Sequence, residues 1–84
     1  MVVETLNEPV KVRADFSGAL ITPLAFKRNG KTFRVEKVTA RWESRETQFN
    51  RRFFSVEAEG AVYELSLDCS DMTWRVERVC LDSV

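Results

Sequence analysis

Residues 54–67, Phe54-Ser55-Val56-Glu57-Ala58-Glu59-Gly60-Ala61-Val62-Tyr63-Glu64-Leu65-Ser66-Leu67, decide the fold. Apolar and polar side chains alternate on both sides of Glu59-Gly60. A strand sends successive side chains to opposite faces, so a period of two marks a strand half-buried in a sheet. A two-residue turn at Glu59-Gly60 sets Val56 opposite Tyr63 and Phe54 opposite Leu65, all on one face. A slip of one residue would turn all four toward solvent, so the pattern fixes register as well as element type.

The same reading extends in both directions. Downstream, Cys69-Ser70-Asp71-Met72 returns the chain so that Leu67 meets Trp74 and Leu65 meets Val76. Upstream, Leu24 and Phe26 alternate toward Asn29-Gly30, a dipeptide that readily takes the positive φ angles of a type I′ turn. Closing that hairpin pairs Phe26 with Phe33 and Leu24 with Val35. Pro23 lacks the N–H of a central strand, which favours an edge or a bend. Val10, Val12, Ala14 and Phe16 alternate with Lys11, Arg13 and Asp15 as a first strand that stops at Ser17-Gly18. From Lys31 to Glu43 the phase slips: Phe33 and Val35 share one face, then Val38, Ala40 and Trp42 the other. A β-bulge near Glu36-Lys37 would absorb the slip and curl the sheet. Ser44 to Asn50 reads as a loop. The expected fold is an all-β antiparallel meander of five or six strands, curled into a small, partly open SH3-like barrel, with Trp42 and Phe54 in its core. Residues 1–84 form one domain, with 1–8 either flexible or packed across the sheet.

Composition excludes several function classes. No apolar run approaches the ~20 residues that span a bilayer, and the first residues lack the basic and apolar regions of a signal peptide. A cytoplasmic protein without a membrane role is expected. There is no histidine, which removes the commonest general base and any Ser-His or Cys-His pair. Cys69 and Cys80 are the only cysteines, too few for a disulfide framework or a tetrahedral zinc site. Cys80 reads as a small buried hydrophobe and Cys69 as a loop thiol. Asp68 and Asp71 flank a turn without the glycine and distal glutamate of a calcium loop, and so read as turn-formers. Phosphate-cradling glycine motifs are absent. The chain is expected to be no enzyme and to carry neither metal nor cofactor.

What remains is charge. Net charge is zero, yet residues 27–52 hold nine basic side chains against three acids, and residues 53–84 two against seven. Arginine outnumbers lysine nine to four, and arginine is the better residue for bidentate phosphate contacts. Arg41, Arg45, Arg51 and Arg52 surround the loop after the long strand, with Phe53 as a plausibly exposed ring beside Arg41. Charges that track phosphates beside rings that stack bases are the ingredients of a nucleic-acid binder; an acidic protein surface would suit the same arginines. Part of the asymmetry has a structural explanation, since Val38 opposite Val56 would set Lys37 against Glu57. The alternative is a self-associating or protein-binding scaffold, a dimer for instance, that uses Phe53, Val62, Val79 and Leu81 on the second face or an open strand edge.

Phe26-x-x-Asn-Gly-Lys-x-Phe33-x-Val35-x-x-Val38, Arg41-Trp42, Arg52-Phe-Phe-x-Val56, Val62-Tyr-Glu-Leu65 and Trp74-x-Val-x-Arg78-Val79 together resemble a bacterial family of short domains of unknown function, some associated with relatives of lesion-bypass DNA polymerases. The resemblance covers about residues 20–80. It implies a cytoplasmic bacterial β domain in a DNA-repair context and supplies no catalytic or binding residues.

Overall fold

The computed structural model describes residues 2–44 and 50–81. Seven antiparallel strands form one sheet: β1 (Val2–Ser17), β2 (Leu20–Arg28), β3 (Lys31–Arg34), β4 (Lys37–Glu43), β5 (Arg51–Ala58), β6 (Ala61–Asp68) and β7 (Thr73–Leu81). Their order is β3-β2-β1-β7-β6-β5-β4. The end strands β3 and β4 are separated by only Val35 and Glu36. Val35 N–H donates to Leu24 O at 2.9 Å and Glu36 N–H to Glu57 O at 2.8 Å, so the chain steps from one edge of the sheet to the other between neighbouring residues. The sheet is thereby curled into a half-barrel. The step explains the strand count: the long strand expected over 31–43 is divided in two where its neighbour changes from β2 to β5.

The hairpin registers follow the turn chemistry. Asn29 and Gly30 take φ of 51° and 77°, Glu59 and Gly60 53° and 75°, as the two central residues of a type I′ turn require. Phe26 faces Phe33, Val56 faces Tyr63 and Phe54 faces Leu65. Leu67 faces Trp74 and Leu65 faces Val76. In that last turn the Asp68 carboxylate accepts from the Ser70 N–H and hydroxyl, and Asp71 from those of Thr73. Both aspartates are turn-formers.

Where the structure departs from the alternation, a bulge is responsible. Of residues 1–8, expected to be flexible or packed across the sheet, those from Val2 on instead form the first half of β1, which pairs with β7 from Val2–Leu81 to Val10–Trp74. Leu6 and Asn7 oppose one residue there; Asn7 sits at φ 48°, and Arg75 donates to its side-chain and backbone oxygens at 2.8 Å. Beyond Val10 the same strand turns to pair with β2. Leu24 is the extra residue between Ala25–Arg13 and Pro23–Ala14, and it is exposed while Pro23 is buried. Thr39 is extra between Val38–Val56 and Ala40–Ser55, its hydroxyl bonded to Ser55.

The Thr39 bulge reverses the face of everything after it. Trp42, expected in the core, is 41% exposed. A further extra residue, Glu77, does the same to the end of β7. Val79, expected on the outer face, is buried against Tyr63, and Cys80, expected to be buried, is half-exposed opposite Val62. The core is layered. Phe26 stacks on Phe33 with centroids 5.1 Å apart, and both meet Tyr63 edge-on; toward the other end Phe54 packs against Trp74. Val56, Leu65, Leu67 and Val76 fill the space between without measurable exposure.

Candidate functional site

The half-barrel is least closed where the start of β2 faces the end of β4. β3 borders β2 from Ala25 onward, so Leu20–Pro23 has β1 as its only strand neighbour, and the Pro23 reading as an edge position holds. Across this seam lies a groove of ≈ 230 Å³ whose walls include Leu20, Ile21, Arg41, Trp42, Arg52 and Phe53. Two guanidinium groups span it. Arg41 Nε donates to Ile21 O at 3.3 Å and Nη2 to Thr22 Oγ1 at 3.4 Å. Arg52 Nη1 donates to Ala19 O at 3.1 Å. The Ile21 carbonyl lies on the edge left without a strand neighbour among the described residues, so Arg41 takes the place of a missing ladder donor, while Arg52 caps the carbonyl of the preceding turn.

Four of the five residues singled out from the sequence gather here or beside it. Arg41 opposes Phe54, not Phe53, because of the Thr39 bulge; no Arg41–Phe53 pair forms. Phe53 opposes Trp42 instead, their rings stacked 5.6 Å apart at 10°. Arg52 sits opposite Glu43, with Nε 3.7 Å from Oε1. That Nε is buried and has no hydrogen-bond partner among the described residues. Arg51 opposes Asp68 one position further along. Hydrogen bonds from the Ser70 hydroxyl and N–H hold the Asp68 carboxyl below its ordinary pKa, and the Arg51 charge adds to them. Arg45 lies outside the described residues.

The charge reading is sharpened at both ends. Lys37 opposes Glu57 as the alternation required, and Arg28, Lys31 and Arg52 form ion pairs with Glu8, Glu59 and Glu43. Much of the basic segment is therefore neutralised within the fold. Sequence reasoning missed Trp42 as a surface ring; the signal was present in Thr39, a β-branched hydroxyl residue at the place where the alternation can break. It also missed Lys11 and Arg13, which the Ser17-Gly18 turn brings beside Lys27 and Arg34.

The proposed second-face patch does not assemble. Val79 is core, Leu81 pairs with Ala61 and Val2 at the barrel end, and Phe53 is covered by Trp42. The row Val62–Cys80–Val3 remains, separated from Phe53 by the polar row Ser55–Glu64–Arg78. Among the described residues no group of three or more His, Cys, Asp or Glu side chains could hold a metal, and no helix is long and apolar enough to cross a membrane. In comparisons with known proteins, no family model, no curated protein and no solved structure gives a significant match to the chain.

Proposed function

We propose that this half-barrel is a non-catalytic cytoplasmic module of SH3-like kind that binds single-stranded nucleic acid at the seam groove. The observation that carries the reading is the Trp42–Phe53 pair, two stacked rings on the outer face of β4 and β5 that line one groove with Arg41 and Arg52, whose side chains reach the seam from the opposite face. Bases stack on exposed rings, and a strand's phosphates are held by neighbouring cations. The hydrogen bonds that Arg41 and Arg52 make across the seam go to neutral oxygens. A phosphate oxygen is a stronger acceptor than a backbone carbonyl, since its bonds to guanidinium are charge-assisted. The resemblance to bacterial domains near DNA-repair polymerases fits such a ligand.

The test is a titration of fluorescein-labelled single- and double-stranded oligonucleotides at about 50 and 200 mM salt, a range over which phosphate contacts lose affinity steeply. Single strands should bind more tightly than duplexes. Trp42→Ala should weaken single-strand binding by about 5- to 150-fold, the worth of one stacked base, in a variant that still folds, with a melting temperature lowered by loss of the Phe53 stack. Absence of binding at the lower salt, or a Trp42→Ala variant that binds like the parent, overturns the reading.

A further inference from the structure

The outer face of β1, β2 and β3 carries a second cationic surface. Residues 11–17, 20–28 and 31–34 contain six basic side chains and one acid, Asp15. Arg28 and Lys31 are answered by Glu8 and Glu59. The other four are exposed and make no ion pair among the described residues. Strand pairing draws those four together. Lys11 lies directly opposite Lys27, and in the next row Arg13 and Arg34 flank Ala25 from the two sides. Shallow depressions of ≈ 380 and ≈ 290 Å³ border the lysine pair on either side.

A directly opposed pair of like charges destabilises a ladder. Elsewhere opposed charges are mostly of opposite sign: Lys37 opposes Glu57, Arg52 opposes Glu43, Arg51 opposes Asp68 and Arg78 opposes Glu64. Two described pairs are exceptions: Arg28–Lys31, whose members are answered by Glu8 and Glu59, and Lys11–Lys27, which no described carboxylate answers. An anion bound over the pair would turn that cost into attraction.

β2 connects this face to the seam. Leu20 forms part of the groove wall, Thr22 meets Arg41, Ala25 lies between Arg13 and Arg34, and Lys27 ends the series. From Leu20 to Lys27 the strand covers about 23 Å at ~3.3 Å per residue. Among the described residues this face offers no exposed aromatic ring along that path: Phe26 and Phe33 point into the core, and Phe16, though exposed, pairs with Ile21 on the opposite face. It suits phosphates and not bases. We infer that Arg13, Arg34, Lys11 and Lys27 hold the phosphate backbone of the strand as it leaves the groove, an inference that rests on the single-strand reading of the seam.

Two deoxythymidine oligomers separate the surfaces, a tetranucleotide that fits the groove and a dodecanucleotide that reaches Lys27. The longer strand should bind at least tenfold more tightly. Its logarithmic salt slope should be steeper by about 2.8, from ~0.7 per single-strand phosphate contact over four contacts. A Lys11→Ser/Lys27→Ser variant should lose about half of that extra slope and most of the length-dependent affinity. It should bind the tetranucleotide as the parent does and melt no lower, since it removes a repulsion. A folded double variant with the parent's dodecanucleotide affinity and slope overturns the inference and leaves the seam reading standing. So does Trp42-dependent tetranucleotide binding that gains nothing with length. Absence of binding by both oligomers overturns the two together.

Discussion

Lys11→Glu is the substitution whose effect on stability the geometry specifies best. Cβ atoms of directly opposed residues lie about 5 Å apart, which puts two splayed side-chain charges about 7 Å apart. Lys11 and Lys27 are such a pair, and both are exposed. Coulomb's law in water gives them a repulsion of about 0.6 kcal/mol. Glutamate at position 11 replaces that repulsion with an attraction of similar size, a swing of about 1 kcal/mol, within the range of cross-strand pairs. At 0.1 M salt the Debye length of ~10 Å removes about half of it. In a domain of this size each kcal/mol moves the midpoint by about 4–8 °C, so melting should rise by about 2–4 °C at that salt. Thermal melts followed by circular dichroism at low salt and at 1 M salt provide the assay. Lys37→Glu is the matched control: it turns the opposed pair with Glu57 into a like-charge pair and should lower the midpoint. A Lys11→Glu midpoint that falls, or a rise that persists undiminished at 1 M salt, refutes the reasoning.

Three further outcomes follow from the same structure. Val79→Ala should cost about 2 kcal/mol in urea unfolding because it opens a cavity beside Tyr63, whereas Val62→Ala on the outer face should cost well under 1; equal losses would mean that the Glu77 bulge is misplaced. Acrylamide should quench about half of the tryptophan emission readily, since Trp42 is 41% exposed and Trp74 9%; uniform protection of both indoles would return Trp42 to the core. Asp68 has a folded pKa below the 3.8 of an unperturbed aspartate, so its turn contributes stability above that pH and loses it as pH falls through the folded value. Asp68→Asn, with no carboxyl to titrate, should therefore show a shallower loss of stability below about pH 4, and an unchanged acid limb would count against the Ser70 bonds.

The hairpins were legible because their determinants are local. Asn29-Gly30, Glu59-Gly60 and the Asp68–Thr73 turn each specify a backbone conformation within a few residues, and the flanking alternation then fixes the register. The bulges at Leu24, Thr39 and Glu77 were not, because what selects them is the curvature needed to bring β3 and β4 to one place on the chain. Each extra residue reverses the face of those after it, which is why Trp42 and Val79 exchange the roles their alternation suggests. The pairing of Val2–Val10 with β7 was hidden for a related reason: its partners lie at the far end of the sequence, and Glu4, Glu8 and Pro9 interrupt the apolar pattern. At the site, Arg41, Arg52 and Phe53 were readable from one hairpin. The lysine pair needed the β1–β2 register, which Ser17-Gly18 signals only weakly.

The position of β7 has a consequence for how the molecule is made. It is the last strand described along the chain, yet it lies between β1 and β6 and has partners on both sides. Until residues 73–81 have been synthesised, β1 lacks a neighbour for its first half and β6 for one whole edge. Contacts between positions as distant as Val2 and Leu81 must form in the search, which slows folding in proportion to the separation of contacting residues. The nascent chain therefore carries an open edge on β1 until residues 73–81 follow, β6 adds a second just before them, and one late strand insertion closes both.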